Sequence, residues 1–199
     1  EKVNDIMFEQ RLELLRKKRN AYVFPAGGST TLGIWGYINF INELKKQVDL
    51  SKIDSIVAAC GSGGTASGML VGAALNKLNI KIVAVHVLMT KKEMEKHILR
   101  LAEGCVLDYK LNCTIDPKNL IVVDGYSKEG YKKISPAKIK LLKKFAQETG
   151  ILFDPAYTGK AFAAYYEKYL KTGKGKKNIF VHTGGLFAVF GRTKEYLSN

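Results

Sequence analysis

The chain has 199 residues, 46% of them hydrophobic and 25% charged, which excludes a disordered or fibrous polymer and leaves enough chain for a core without disulfides or metal. No apolar run approaches the roughly 20 residues that cross a bilayer, and the three cysteines (Cys60, Cys105, Cys113) and three histidines (His86, His97, His182) follow no metal-ligand spacing. The net charge of +14 is spread over short basic runs without interleaved aromatics, so solvated faces are expected rather than specific nucleic-acid contact. With no apolar signal core at the N-terminus, these features predict reduced thiols, a cytoplasmic location and no membrane or metal partner.

In chain order, Val3, Ile6, Met7, Leu12, Leu14 and Leu15 predict an amphipathic helix over residues 3–19, closed by Asn20. Ala21–Phe24 reads as a short strand stopped by Pro25. The loop Ala26-Gly27-Gly28-Ser29-Thr30-Thr31 leads into a helix ending near Val48, with Ser29, Thr30 or Thr31 as its cap. Ile53–Cys60 reads as a strand, followed by a glycine-rich turn and a helix to about Leu78. Ile80–Leu88 is almost continuously apolar, which suits a strand buried on both faces. Lys91–Glu103 has helical spacing and Leu120–Val123 reads as a strand, while residues 104–118 show no clear period. Pro136 and Gly150 bracket a helix over 136–149. Ala161–Leu170 reads as helix, Lys171–Lys177 as loop and Ile179–His182 as a final strand. Strands alternating with helices predict an α/β fold: a mainly parallel twisted sheet with helices on both faces.

Three motifs carry chemistry. The run Gly61-Ser62-Gly63-Gly64-Thr65 lies between strand and helix, where backbone N–H groups and the hydroxyls of Ser62 and Thr65 can cradle a phosphate. It lacks a Walker A lysine and GxGxxG spacing, which argues against a nucleoside triphosphatase and a dinucleotide site. Asp154-Pro155-Ala156-Tyr157-Thr158-Gly159-Lys160 is a turn entering a helix, and His182-Thr183-Gly184-Gly185 follows the last strand. Each alone is compatible with a plain structural turn.

Together they resemble the D-cysteine desulfhydrase and 1-aminocyclopropane-1-carboxylate deaminase family, in the tryptophan-synthase-β-like group of pyridoxal-phosphate enzymes (fold type II). The resemblance rests on Tyr22-Val23-Phe24-Pro25-Ala26-Gly27-Gly28-Ser29, Leu32-Gly33, Gly36-Tyr37, Gly61–Thr65, Gly130-Tyr131, Asp154–Ala161 and His182–Gly185. It implies that Gly61, Ser62, Gly63, Gly64 and Thr65 hold the phosphate of pyridoxal 5'-phosphate. It implies that Thr183 approaches the pyridine nitrogen, and that Tyr131 and Tyr157 are the catalytic tyrosines. Thr158 would face the substrate, a small amino acid. A threonine there fits the desulfhydrases, whereas the deaminases usually carry glutamate.

The resemblance also implies a division of the chain: residues 1–20 as a helix left from the smaller domain and residues 21–199 as the large cofactor-binding domain. The smaller domain, with the Schiff-base lysine and a Ser-Asn-His segment, has no counterpart in this sequence. Lys17 and Lys18 stand in the wrong context for that lysine, and Lys160, part of the Asp154–Lys160 motif, reads as structural. The expectation is therefore a lyase converting D-cysteine to pyruvate, hydrogen sulfide and ammonia, present as an inactive fragment. The alternatives are the deaminase and a non-catalytic cofactor-binding or interaction domain. A homodimer is implied by the resemblance alone.

Overall fold

The computed structural model describes residues 2–87, 90–126, 128–130 and 133–197. Its β-branched and small apolar segments form four strands: β1 (Ser55–Cys60), β2 (Lys81–His86), β3 (Leu120–Val123) and β4 (Asn178–Val181). They make one sheet of order β3-β2-β1-β4, and every pairing is parallel, with Cys60 opposite His86, Ala58 opposite Val181 and Val85 opposite Val123. Parallel neighbours require crossovers. Helix α3 (Gly64–Leu75) links β1 to β2, and α4 (Lys91–Asp108) links β2 to β3. Helices α5 (Pro136–Thr149) and α6 (Thr158–Tyr165) then return the chain to β4, on the other side of β1.

The period of two in each strand sorts the core onto two faces. Ile56, Ala58, Ile82, Ala84, Leu120 and Val122 pack on the side of α3 and α4, with Met69, Met94 and Ile98. Val57, Ala59, Val83 and Val85 pack on the other side with Leu142, Phe153 and Phe162. Helices therefore cover both faces, as the apolar runs predict. Helix α2 (Trp35–Gln47) lies over α3. It comes close because α3 carries glycines there: a Cβ on Gly68 would meet the Ile34 carbonyl oxygen at 2.5 Å and Tyr37 Cβ at 2.6 Å.

The ends of elements depart from the sequence reading for identifiable reasons. Helix α1 (Lys2–Arg16) ends with Lys18 at φ 56°, not at Asn20. The N–H groups of Lys18 and Arg19 donate to the carbonyls of Leu15 and Leu14, a Schellman closure. Helix α3 stops at Leu75 and closes in the same way through Lys77 at φ 54°. Helix α4 runs on to Asp108, into the region without clear period, and closes through Lys110 at φ 50°. A lysine at such a position gives no local signal. Gly150, at φ 74°, closes α5 where predicted.

Two further expectations fail. Residues 21–24 are not a strand; Tyr22 and Phe24 are 69% and 72% exposed and pack edge-on against each other, without a ladder partner among the described residues. None of Ser29, Thr30 or Thr31 caps α2, which starts from Ile34 without a side-chain cap. Their hydroxyls are used elsewhere: Ser29 on Ser62, Thr30 on the Gly33 N–H and Thr31 on Asp108. Past α6 a π-helical turn, Tyr166–Leu170, completes the predicted helix. Strand β2 ends at His86, and Leu88, the predicted end, lies outside the described residues. The chain finishes in two short helices, α7 (Phe187–Phe190) and α8 (Thr193–Leu197). Among the described residues no helix is long and apolar enough to cross a membrane.

Because Gly68 sits against backbone, Gly68→Val is expected to destabilise the fold by about 1–3 kcal/mol. The measurement is urea denaturation, read as a lower midpoint at unchanged slope.

Candidate active site

The chain leaves β1 toward β2 over one face and reaches β4 over the other. The carboxyl ends of β1 and β4 therefore flank a topological switch point, where open α/β sheets bind ligands. The turn after β1 is Gly61–Thr65, and the segment after β4 is His182–Gly185.

Gly63 is the N-cap of α3, at φ 88°, and no side chain caps that helix. The first-turn amides of α3 thus lack an intrahelical acceptor and, among the described residues, a side-chain acceptor, which leaves them suited to an anion. Ser62 and Thr65 are half-buried beside them. The turn is braced from behind. Ser29 Oγ and Ser62 Oγ lie 2.7 Å apart, and His97 Nε2 lies 3.1 Å from the Ser62 carbonyl oxygen. Two glycines answer to this bracing: a Cβ on Gly64 would fall 2.6 Å from Ser29 Oγ, and one on Gly63 would fall 3.1 Å from the His97 ring. Burial pushes the Cys60 thiol up to about 12, against a hydrogen bond from the Gly63 backbone. It is a packed, unreactive thiol.

The second part of the site is organised by Asp154, which is 2% exposed. Its carboxylate accepts from the N–H groups of Ala156, Tyr157 and Thr158, at 2.9, 2.7 and 2.7 Å, and from the Thr158 hydroxyl. These bonds supply acceptors at the start of α6 and compensate the buried charge. A Cβ on Gly185 would fall 2.8 Å from Asp154 Oδ2, so the turn after β4 seats directly on this carboxylate. His182 fixes that turn: its Nε2 lies 2.8 Å from the Leu152 carbonyl oxygen, and its Nδ1 accepts from the Gly184 N–H at 3.1 Å. That pattern assigns the Nε2–H tautomer. Between the two segments lies a cavity of ≈ 380 Å³, lined by Tyr157, Thr158, Thr183, Gly184 and Arg192 among others.

Residues 4–184 match the family described as pyridoxal-phosphate dependent enzyme. The chain belongs to the pyridoxal-phosphate-dependent enzyme family. It is 32% identical over 193 residues to the bifunctional D-cysteine desulfhydrase/1-aminocyclopropane-1-carboxylate deaminase, mitochondrial, of Arabidopsis thaliana, covering 94% of this chain and 47% of that protein. It is 31% identical over 172 residues to a D-cysteine desulfhydrase of Salmonella paratyphi B, covering 85% of this chain and 52% of that one. The crystal structure of an ACC deaminase homologue aligns with TM-score 0.84 at 30% identity, covering 98% of this chain and 59% of that one. The chain thus spans about half the length of these curated relatives.

For a pyridoxal-phosphate-dependent enzyme, the fit of these residues to the cofactor can be tested on the turn itself. The uncapped amides of α3, with two half-buried hydroxyls, match a phosphate ester. Tyr157, Thr158 and Thr183 come together in the cavity, whereas Gly61–Thr65 stands at the end of the neighbouring strand and does not line it. Thr158 is 2% exposed, with its hydroxyl on Asp154 and 3.5 Å from the Gly184 carbonyl oxygen. Thr183 is exposed. Tyr131 lies outside the described residues.

Several residues of this region were not legible as site builders. Asp154 reads in sequence as a turn former, and only its burial reveals the carboxylate as a hub. Arg192 carries no motif. His86, at the carboxyl end of β2, is buried with neither ring nitrogen hydrogen-bonded among the described residues. Burial holds its pKa below the ordinary value, against the nearby Asp124 charge.

Asp154→Ala would strand the amides of residues 156–158. It is expected to cost about 3 kcal/mol or more, whereas Asp154→Asn, which keeps one carbonyl acceptor, should cost less. Comparing the urea midpoints of the two variants checks the order.

Proposed function

We propose that this chain holds pyridoxal phosphate in a lyase of the D-cysteine desulfhydrase type, which takes D-cysteine and water to pyruvate, hydrogen sulfide and ammonia. The observation that carries this reading is the uncapped α3 N-terminus, with its Gly61–Thr65 turn, at the switch point beside the Tyr157–Thr158–Thr183 cavity. Pyridoxal phosphate supplies an electron sink for loss of the α-proton of an amino acid.

In this reading the amides at the start of α3 and the hydroxyls of Ser62 and Thr65 bind the phosphate. The Thr183 hydroxyl meets the pyridine nitrogen as a neutral partner, which stabilises a ring cation less than a carboxylate would. The phenols of Tyr157 and Tyr131 hold or move a proton at the substrate and orient the leaving group. Thr158 narrows the cavity while its hydroxyl stays on Asp154. Arg192, in the cavity lining, supplies positive charge for the substrate carboxylate. No covalent role falls to Lys160, which is wholly buried with its Nζ on the Gly130 carbonyl.

The deaminase is the second reading, favoured by relatives that bear its name. In an enzyme that joins this chain to a Schiff-base lysine, sulfide release from D-cysteine supports the first reading; release of 2-oxobutanoate from the cyclopropane amino acid without sulfide replaces it with the second.

Thr65→Val is expected to weaken pyridoxal-phosphate binding by about tenfold, the loss of one hydrogen bond to a charged group. Titration of cofactor absorbance checks it, and unchanged affinity would remove the phosphate assignment. Borohydride treatment of the cofactor-loaded chain is expected to leave no lysine stoichiometrically labelled. One specifically labelled lysine, mapped by mass spectrometry and accompanied by turnover, would place the Schiff-base amine within this chain.

A further inference from the structure

The segment between β3 and α5 is fastened from two helices. Lys160, in the first turn of α6, has no exposed surface. Its Nζ donates to the Gly130 carbonyl at 2.7 Å. Lys138, on α5, reaches the same segment: its Nζ lies 2.6 Å from Glu129 Oε1 and donates to the Tyr126 carbonyl at 2.8 Å. The Tyr126 hydroxyl in turn donates to Glu167 at 2.6 Å.

A lysine in such a place calls for a reason beyond packing. Methionine or leucine would fill the volume without taking an ammonium out of water. Burial lowers the Lys160 pKa; the Glu129 and Asp154 carboxylates oppose that shift and the Lys138 charge adds to it. The ammonium is therefore held against its desolvation by carboxylates on both segments that it joins. The oxygen it grips is that of Gly130, which stands at φ 90°. Lys160 also follows Tyr157 and Thr158 of the cavity lining by three and two positions in sequence.

We infer that Lys160, assisted by Lys138, is the fastening of this segment: the two ammonium groups clamp Tyr126, Glu129 and Gly130 to α5 and α6, beside the turn at 154–158.

Hydrogen–deuterium exchange of the chain, read on peptides covering residues 124–134, tests the clamp in Lys160→Met and Lys138→Met. Exchange there is expected to rise about tenfold or more, the loss of a charge-assisted hydrogen bond, while β1 and β2 keep wild-type protection. Wild-type exchange at 124–134 in folded Lys160→Met overturns the inference, and so does a uniform rise that includes β1 and β2. If Lys160→Met does not fold, the partly exposed Lys138 carries the test, and unchanged exchange in Lys138→Met overturns it.

Discussion

All four strands run parallel, so each connection must cross a face of the sheet and every carboxyl end meets at one edge. The rest follows from how the crossovers are shared. Two go over one face, through α3 and α4, and the return through α5 and α6 goes over the other. This division makes β1 and β4 neighbours with opposite histories. Residues more than a hundred positions apart, Gly61–Thr65 and His182–Gly185, arrive side by side because of strand order, without a direct bond having to draw them together. The small residues of β1 and α3 then allow close approach: Gly68 and Gly72 let α2 lie on the backbone of α3.

At that edge, construction depends on buried polar groups that meet backbone. Asp154 collects three N–H groups and one hydroxyl, and it presses on Gly185. His182 ties Gly184 back to Leu152. Ser29 and His97 brace Ser62. In each case a side chain outside the ligand-facing set decides where a loop lies, so preorganisation of the cavity comes from neighbours that sequence motifs do not mark.

The strands of the sheet were legible because their apolar runs are too short for a helix, rich in valine and isoleucine, and bounded by glycine, proline and charge, which together favour buried strands. Helix α5 was legible to the residue because Pro136 and Gly150 carry their own conformational preferences. The ends of α1, α3 and α4 were not, since lysine at positive φ is set by Schellman hydrogen bonds and packing against an unfavourable local preference. The short strand at 21–24 was misread because alternation of Tyr22 and Phe24 mimics a pleat, while a strand also needs a partner edge. For the site, the motifs located Tyr157, Thr158 and Thr183, which share one cavity. They did not show that Thr158 spends its hydroxyl on Asp154, because a threonine that faces a cavity and one that caps a carboxylate look the same in sequence.

Lysine use departs most from a reading based on composition. A charge of +14 suggests solvated faces, and many of these lysines are exposed. Yet Lys18, Lys77 and Lys110 terminate helices, Lys81 donates to the Lys118 carbonyl and Asn119, Lys138 donates to Tyr126, and Lys160 is buried on Gly130. A backbone carbonyl at the end of a strand or in a loop has no ladder partner, and a long cationic side chain can reach it from a neighbouring helix. Short strands multiply such carbonyls: β3 and β4 have four residues each, so their flanking segments carry much of the chain that the ladder leaves unpaired. Part of the positive charge is thus internal fastening, with Lys81 at the amino ends of β2 and β3, and Lys138 and Lys160 on the segment beyond the carboxyl end of β3.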